Sequence, residues 1–496
     1  MSTQARDFRG VARPVGTVLM GLALAIALCA GLGFAWDELA PDPRRPQGGV
    51  AELLQSAAVV LLIGLLLFRY GSRFVTERLS RREALLTVSA IWASSGLCGT
   101  LPFMLGADLP PADALFESVS GLTSTGSTVI ADIEVRLSRP MLLWRSLIQW
   151  LGGMGIVVLF VAVFPNLGVG AKQLFRSEVA GTRSEGLTPR IAETSFTLWK
   201  LYTAFTLLEI IVLFALGIDL FDAVCHAFTT IATAGFSTLD SSIGGFNRPV
   251  VEYVIACFML IGTVDYGLYY AAIKSRSGRG ILRSTQFRAF VGIVVTAIVL
   301  LTMLNVSLHG SLADSFRYSF FMVATLISST GYGTHDYSNY GSTAMAIMVM
   351  LMFIGGCSGS TAGGVKVERV VLMAKYAAAE IRKSFQPSVV QLVRMGRRVI
   401  DNQVLLGVAA FLAIYFACMA FGLFFVTWHE QVPLSTAFGA MLTTLCNMGP
   451  APFHSGADNF ASYSPLAKVF FSVAMLLGRL EFFTLFALIL PGFWRR

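Results

Sequence analysis

Four short segments carry the residues of this sequence best suited to chemistry: Leu-Thr-Ser-Thr-Gly-Ser-Thr at 122–128, Ile-Ala-Thr-Ala-Gly-Phe-Ser at 231–237, Ile-Ser-Ser-Thr-Gly-Tyr-Gly at 327–333 and Leu-Cys-Asn-Met-Gly-Pro-Ala at 445–451. Aligned on Gly126, Gly235, Gly331 and Gly449, each has Leu or Ile four positions earlier. Covalent and transition-metal chemistry have little to work with. No nucleophile and base set accompanies the motifs, the 5 histidines form no HExxH pair, and the 7 cysteines show no CxxC spacing. The chemistry that fits is removal of water from a cation. Carrying a bare monovalent ion into hydrocarbon costs, in the idealised limit, on the order of tens of kcal/mol. Backbone carbonyl oxygens offset that cost without adding net charge. Turning successive carbonyls toward one axis needs positive φ at some positions, which glycine reaches without steric cost. The candidate oxygen-bearing residues are Thr123, Ser124, Thr125 and Gly126; Ala232, Thr233, Ala234 and Gly235; Ser328, Ser329, Thr330 and Gly331; and Cys446, Asn447, Met448 and Gly449.

The elements that must position these motifs are legible in the hydropathy. The chain has 496 residues, 55% apolar and 13% charged, and its mean hydropathy is +0.69. That balance belongs to a polytopic membrane protein. Stretches 17–36, 51–68 and 404–426 run near the length that crosses about 30 Å of hydrocarbon. The first is read as a retained helix, not a signal peptide. Lys and Arg crowd alternate connections: Arg69, Arg73, Arg78, Arg81 and Arg82; Lys172, Arg176, Arg183 and Arg190; Lys274, Arg276, Arg279, Arg283 and Arg288; Lys375, Arg382, Lys383, Arg394, Arg397 and Arg398. The positive-inside rule puts those connections and both termini in the cytoplasm, and 37–50, 107–140, 218–249, 309–341 and 428–463 outside. The formal charge of +8 therefore sets topology, and nucleic acid is excluded as a partner.

Each outer segment after the first contains an apolar stretch too short to span, near 113–123, 222–232, 316–327 and 434–445, as suits a re-entrant helix. The expected fold is an all-α polytopic membrane protein with four pseudosymmetric helix, pore loop, helix units around one central ion pore, preceded by two additional transmembrane helices. The predicted divisions are 1–83 for the two N-terminal helices, then 84–165, 166–286, 287–399 and 400–496 for the units. Expected spans are 84–106 and 141–164, 196–217 and 250–273, 288–308 and 342–372, and 400–427 and 465–492. The short helices would end at mid-membrane with their negative dipole ends toward the axis.

The run Gly355, Gly356, Cys357, Ser358, Gly359, Ser360, Thr361, Ala362, Gly363 and Gly364 lacks the GK[ST] ending of a phosphate-binding loop and follows an apolar stretch. It reads as a helix broken beneath the carbonyl loops, where irregular backbone is tolerated because it lines a wet path. Arg479 lies inside the last span. Glu481, two residues on, faces another side of the helix, so Arg479 is expected to point to the path near the glycine run. Asp265 interrupts a span and either bonds locally or binds an ion.

On these residues the chain resembles the TrkH/KtrB/HKT superfamily of potassium transporters, and within it the TrkH branch. The resemblance extends to Gln149-Trp150-Leu151-Gly152-Gly153-Met154-Gly155, Gly235-Phe236-Ser237-Thr238, the run 355–361 and Gly478-Arg479-Leu480-Glu481, and the third motif differs little from the TVGYG filter of potassium channels. It implies potassium uptake across the bacterial inner membrane through a filter of four non-identical loops, with the 355–364 run and Arg479 as the gate. It also implies a homodimer with one pore per subunit, and a cytoplasmic nucleotide-binding (NAD/ATP) regulatory subunit of the TrkA type. Potassium is cargo, no organic cofactor is expected, and the chain is not expected to be an enzyme. Tyr332 stands where relatives often carry Phe, while Gly126 stands where sodium-preferring plant relatives have serine. The competing reading is a potassium symporter coupled to protons or sodium by alternating access. It needs mid-membrane acids, for which Glu209 and Asp265 are the main candidates.

Overall fold

A computed structural model of the chain describes residues 8–43, 45–74, 80–162, 187–387, 392–396, 398–449 and 459–494. Much of the basic segment 166–195, with Lys172, Arg176 and Arg183, lies outside the described residues, as do Arg78 and Arg397, and Pro450 and Ala451 of the fourth motif. The described part is helical apart from a two-residue β-pairing at Arg394–Met395 and Arg398–Val399. Helices α1 (Ala12–Leu39) and α2 (Val50–Gly71) come first. From there the elements run long, short, long four times. The first set is α3 (Arg81–Cys98) with α4 (Thr100–Gly106), then α5 (Pro111–Leu122) and α6 (Arg139–Ala162). The second is α7 (Leu187–Ala215), α8 (Leu220–Ile231), and α9 (Pro249–Thr263) with α10 (Tyr266–Ser275). The third is α11 (Thr285–His309), α12 (Leu312–Ile327), and α13 (Ser342–Ile354) followed by α14 (Val367–Phe385). The fourth is α15 (Asn402–Glu430), α16 (Leu434–Cys446), and α17 (Pro465–Leu480) with α18 (Phe482–Ile489).

Among the described residues, six helices are long and apolar enough to cross a bilayer, or up to eight spans if each bent pair is one. Their apolar residues do not all turn inward. Leu62 and Leu66 on α2, Ile211 and Phe214 on α7, and Phe421 and Phe424 on α15 are exposed, as expected of side chains that face lipid. The short helices α5, α8, α12 and α16 have 12, 12, 16 and 13 residues; at about 1.5 Å per residue they reach only part way across. Their starts are set locally. Asp219 caps α8 by accepting from Phe221 N–H at 3.0 Å, Ser311 caps α12 by accepting from Asp314 N–H at 3.0 Å, and Pro111 occupies the first turn of α5.

Three second spans are broken, two of them, 250–273 and 465–492, against the continuous helices expected, and one at the 355–364 run, where a break is expected. The 250–273 stretch bends by 86° between α9 and α10, and 465–492 by 116° between α17 and α18. The 342–372 stretch stops at Ile354 and resumes at Val367. Each break has a backbone cause: Asp265 leaves the helix to cap α10, accepting from Gly267 N–H at 2.7 Å; Gly355 takes φ 67°; and Glu481 takes φ 60°. Only in the first unit does the second span, α6, run unbroken from Arg139 to Ala162.

Buried ion pairs link neighbouring units. Lys468 on α17 donates to Asp113 on α5 at 2.7 Å, and Arg317 on α12 makes a bidentate pair with Glu252 on α9 at 2.7 and 2.5 Å. The first two helices join through small residues instead. A Cβ on Gly16 would lie 2.5 Å from the Gly64 carbonyl oxygen, and one on Gly71 would strike the Arg13 backbone, the close approach that glycine permits in lipid. We expect Gly71→Leu to force α1 from α2 at about 1–3 kcal/mol. The check is a lower thermal midpoint in detergent, with Gly21→Leu, which has open space around it, left near wild type.

Candidate functional site

The four short helices end in the same way. Ser124, Thr233 and Ser329, one residue past their helix caps, and Asn447, at the cap itself, take φ 54°, 50°, 59° and 52°, two positions before the aligned glycine. The next residue's N–H then reaches back into the helix: Thr125 to Ser120 O, Ala234 to Thr229 O, Thr330 to Thr325 O and Met448 to Thr443 O, at 2.8, 2.9, 3.0 and 3.0 Å. This is the Schellman ending, usually built on glycine. Here it is built on polar L-residues. The left-handed turn at this position carries no reliable signal in Ser or Thr, so the sequence did not reveal it. Glycine supplies the second left-handed residue in three loops, with φ 81° at Gly126, 82° at Gly235 and 86° at Gly331; Gly449 does not adopt it. Among the described residues of the fourth loop, Asn447 alone provides the left-handed turn.

The loops meet edge to edge. A Cβ on Gly126 would collide with the Ala234 carbonyl oxygen and one on Gly235 with the Thr330 carbonyl oxygen, while a Cβ on Gly449 would lie 3.2 Å from the Gly126 carbonyl oxygen and 3.5 Å from Gly331 Cα. The order around the axis is therefore first, second, third, fourth, and back to the first. Two side-chain bonds close the ring between the fourth and first loops: Asn447 Nδ2 donates to Thr125 Oγ1 at 3.0 Å, and Ser127 Oγ donates to the Gly449 carbonyl at 2.9 Å. Thr123, Thr125, Thr233, Ser328, Thr330, Ala232, Ala234, Cys446, Asn447 and Met448 are all buried. Within the loops, the Thr123 and Thr125 hydroxyls share a 2.7 Å bond and the Ser328 and Thr330 hydroxyls a 2.6 Å bond.

Glycines in the long helices allow this convergence. A Cβ on Gly152 would collide with the last carbonyl oxygen of α5, at Leu122, and one on Gly478 with the Leu445 carbonyl oxygen in α16; a Cβ on Gly262 would lie 3.1 Å from the Ile231 oxygen of α8. The Gly152-Gly153 and Gly478 motifs are thus explained by helix ends pressed against spans.

Beneath the loops lies the 355–364 run, stitched to its surroundings on every side. Cys357 N–H donates to Thr263 O at 3.1 Å, Tyr266 N–H to Gly359 O at 3.2 Å and Gly364 N–H to Cys446 O at 2.9 Å. Gly363 N–H donates to Ser329 Oγ at 2.6 Å. Thr361 Oγ1 lies 3.1 Å from the Ile231 carbonyl and 3.1 Å from Thr233 Oγ1. Arg479 completes the set, with Nη1 donating to Thr361 O at 2.8 Å and Nη2 to Ser124 Oγ at 3.1 Å. So the left-handed residues of the first three loops, Ser124, Thr233 and Ser329, each turn a hydroxyl onto the run or its arginine. Gly355, Gly359 and Gly364 have φ 67°, 79° and 77°, and a Cβ on Gly359 would collide with the Asp265 carboxylate. Gly356, Cys357, Ser360, Thr361, Ala362 and Gly363 are buried, Ser358 half-buried. Arg479 is 5% exposed and, among the described residues, makes no ion pair. Glu481 pairs with Arg369 on α14. Of the two acids relevant to coupled transport, Asp265 is engaged as a helix cap, and Glu209 is wholly buried with no ion pair among the described residues.

Four loops that meet at the negative ends of four helices, with a buried guanidinium and an irregular loop packed against them, form an arrangement whose backbone oxygens suit a partly dehydrated monovalent cation. Tyr332 stiffens it: its hydroxyl bonds Thr229 Oγ1 on α8 and donates to the His226 carbonyl at 3.3 Å. Tyr332→Phe and Thr229→Val should each cost about 1 kcal/mol. The double variant should cost little more than either alone, as measured by a double-mutant cycle in detergent unfolding.

The comparisons with known proteins agree with this geometry. A family model named TrkH and described as a cation transport protein matches residues 53–491. The Trk system potassium uptake protein TrkH of Salmonella typhimurium is 37% identical over 446 residues, covering 89% of this chain and 92% of that protein. The protein of the same name from Vibrio parahaemolyticus is 33% identical over 500 residues, covering 99% and 100%. A crystal structure of the potassium transporter TrkH from Vibrio parahaemolyticus superposes with a TM-score of 0.89 at 31% identity, covering 99% of this chain and 100% of that one.

Proposed function

Because this chain belongs to the TrkH family of cation transport proteins, we propose that it takes up potassium across the bacterial inner membrane, through a filter formed by its four non-identical loops. The observation that carries the proposal is the fourfold ending, a left-handed polar residue at 124, 233, 329 and 447, together with carbonyl oxygens from neighbouring loops packed against Gly126, Gly235 and Gly449. The ligands are the oxygens of Thr123 to Gly126, Ala232 to Gly235, Ser328 to Gly331 and Cys446 to Gly449. The buried loop 355–364 is the gate, held shut by Arg479. Both termini face the cytoplasm, the assembly is a homodimer with a pore in each subunit, and a cytoplasmic nucleotide-binding subunit of the TrkA type opens it. Its docking surface includes the exposed basic residues Arg276, Arg279 and Arg283.

Selectivity resides in backbone geometry. Gly126→Ser adds a Cβ that displaces the Ala234 carbonyl and a hydroxyl that competes with the ring. We expect the potassium-to-sodium permeability ratio to fall while rubidium flux into proteoliposomes persists; Gly235→Ser should act in the same direction. Unaltered ratios in both would mean that these loops do not form the filter.

The gate is tested separately. Shortening 355–364 by several residues removes the bonds to Cys446, Ser329 and Ile231, and basal rubidium uptake should rise several-fold. Unchanged or abolished uptake by monodisperse protein would remove the gating role.

A further inference from the structure

The loops are not held from behind in the same way, and the difference singles out one side chain. In the first loop Ser120 Oγ, on α5, donates to the Ser127 carbonyl at 2.5 Å. In the third loop Thr325 Oγ1, on α12, donates to the Tyr332 carbonyl at 3.0 Å. Ser120 and Thr325 stand six positions before the aligned glycine, and Ser127 and Tyr332 one position after it. These two short helices thus grip their own loops just beyond the glycine. The equivalent hydroxyl in the second loop is Thr229, and it is directed elsewhere: to the carbonyls of Cys225 and His226, each at 3.1 Å, and to the hydroxyl of Tyr332. The second loop therefore lacks that bond just beyond its glycine, and its own helix holds it only further along, through His226 Nε2 and Ser237 Oγ at 3.0 Å and through Asp222, which accepts from Thr238 Oγ1 at 2.7 Å.

The grip comes instead from α6. Gln149, wholly buried, donates from Nε2 to the Ala234 carbonyl at 3.0 Å and accepts the Phe236 N–H on Oε1 at 3.1 Å. The amide orientation is fixed by its partners, since a backbone N–H only donates and a carbonyl only accepts. One turn earlier on the same helix, Arg145 secures the next stretch of that loop. Its Nη1 donates to the Ser237 carbonyl at 2.9 Å, and its guanidinium carbon lies 3.7 Å from the centroid of the Phe236 ring. Its Nε pairs at 2.8 Å with Glu117 on α5. Glu117 in turn accepts from Thr128 Oγ1 at 2.9 and 3.0 Å and from Val129 N–H at 3.1 Å in the first loop. The two loops are thereby referred to one continuous helix.

We infer that Gln149 is a selectivity-determining positioning residue: by spanning Ala234 and Phe236 it fixes the direction of the Ala234 carbonyl, the oxygen packed against Gly126. A carbonyl has two lone pairs. The bond to Gln149 occupies one and orients the other, so the ring keeps the radius that matches one ion over a smaller one. The inference rests on the filter reading proposed above, and the experiment separates the two.

The ratio of potassium to sodium permeability is measured in proteoliposomes for Gln149→Met, which keeps the volume and removes both bonds, beside Gly235→Ser. Gln149→Met should lower the ratio by roughly five- to tenfold, the factor expected from losing one buried hydrogen-bonded pair, while total rubidium flux and monodispersity are retained. A side chain of purely structural importance would lower the yield or thermal midpoint and leave the ratio unmoved. A wild-type ratio in Gln149→Met alongside a shifted ratio in Gly235→Ser overturns the inference and leaves the filter standing. Unshifted ratios in both overturn the filter, and the inference with it. Should Gln149→Met fail to fold, Gln149→Asn, which keeps the amide but withdraws it by one methylene, is read by the same criteria.

Discussion

A helix that stops inside an apolar layer leaves its last carbonyls without intrahelical partners, and no water is at hand to satisfy them. This chain has four such helices, and the way their ends are accommodated organises the rest of the molecule. The left-handed turn at Ser124, Thr233, Ser329 and Asn447 recovers one carbonyl per helix through the reaching-back N–H. It also throws the chain back toward the side from which it came. The remaining carbonyls are met by neighbours: Thr361 donates to Ile231 and Gly364 to Cys446, while Gly152 and Gly478 bring spans against Leu122 and Leu445. The same glycines that look redundant in a helix are the ones that let helix ends be covered.

The outline of this arrangement was legible in the sequence. Hydropathy and the alternation of basic connections expose the long and short apolar stretches, and four motifs at equivalent places expose their own alignment. What escaped was set by tertiary contacts with no local signature. The breaks at Asp265 and Glu481 occur within stretches that read as continuous spans, because one capping carboxylate or one residue at positive φ is enough to turn a helix. The left-handed residues precede the glycines by two positions and are Ser, Thr or Asn, types that ordinarily avoid or only occasionally visit that region. Gly449 was expected to share their conformation and does not. Gln149 was visible only as the first residue of the 149–155 motif, and Arg145 not at all. Their partners, Ala234, Phe236, Ser237 and Glu117, lie 28 to 92 positions away, a separation at which periodicity is silent.

The fourfold plan is therefore only approximate, and its departures are functional in character. One second span is continuous and three are broken; the third break is long enough to become a separate loop. The continuous span, α6, is the one that carries Arg145 and Gln149. A helix that must hold two loops in register is better left straight, whereas the spans that bend are the ones whose ends meet around the 355–364 run: Thr263 and Tyr266 from one break, Arg479 just before another.

If the run is the gate proposed above, the many bonds on it have a consequence for the resting cell. If each contributes about 0.5–1.5 kcal/mol net, displacing the loop from Cys446, Ser329, Ile231 and Arg479 together costs on the order of 4 kcal/mol. An unassisted molecule would then spend about one part in a thousand of its time with the path clear. That figure sets the idle leak against which a bacterium must keep its ion gradient. It also sets the least differential affinity that an activating partner must bring to hold the path open half the time.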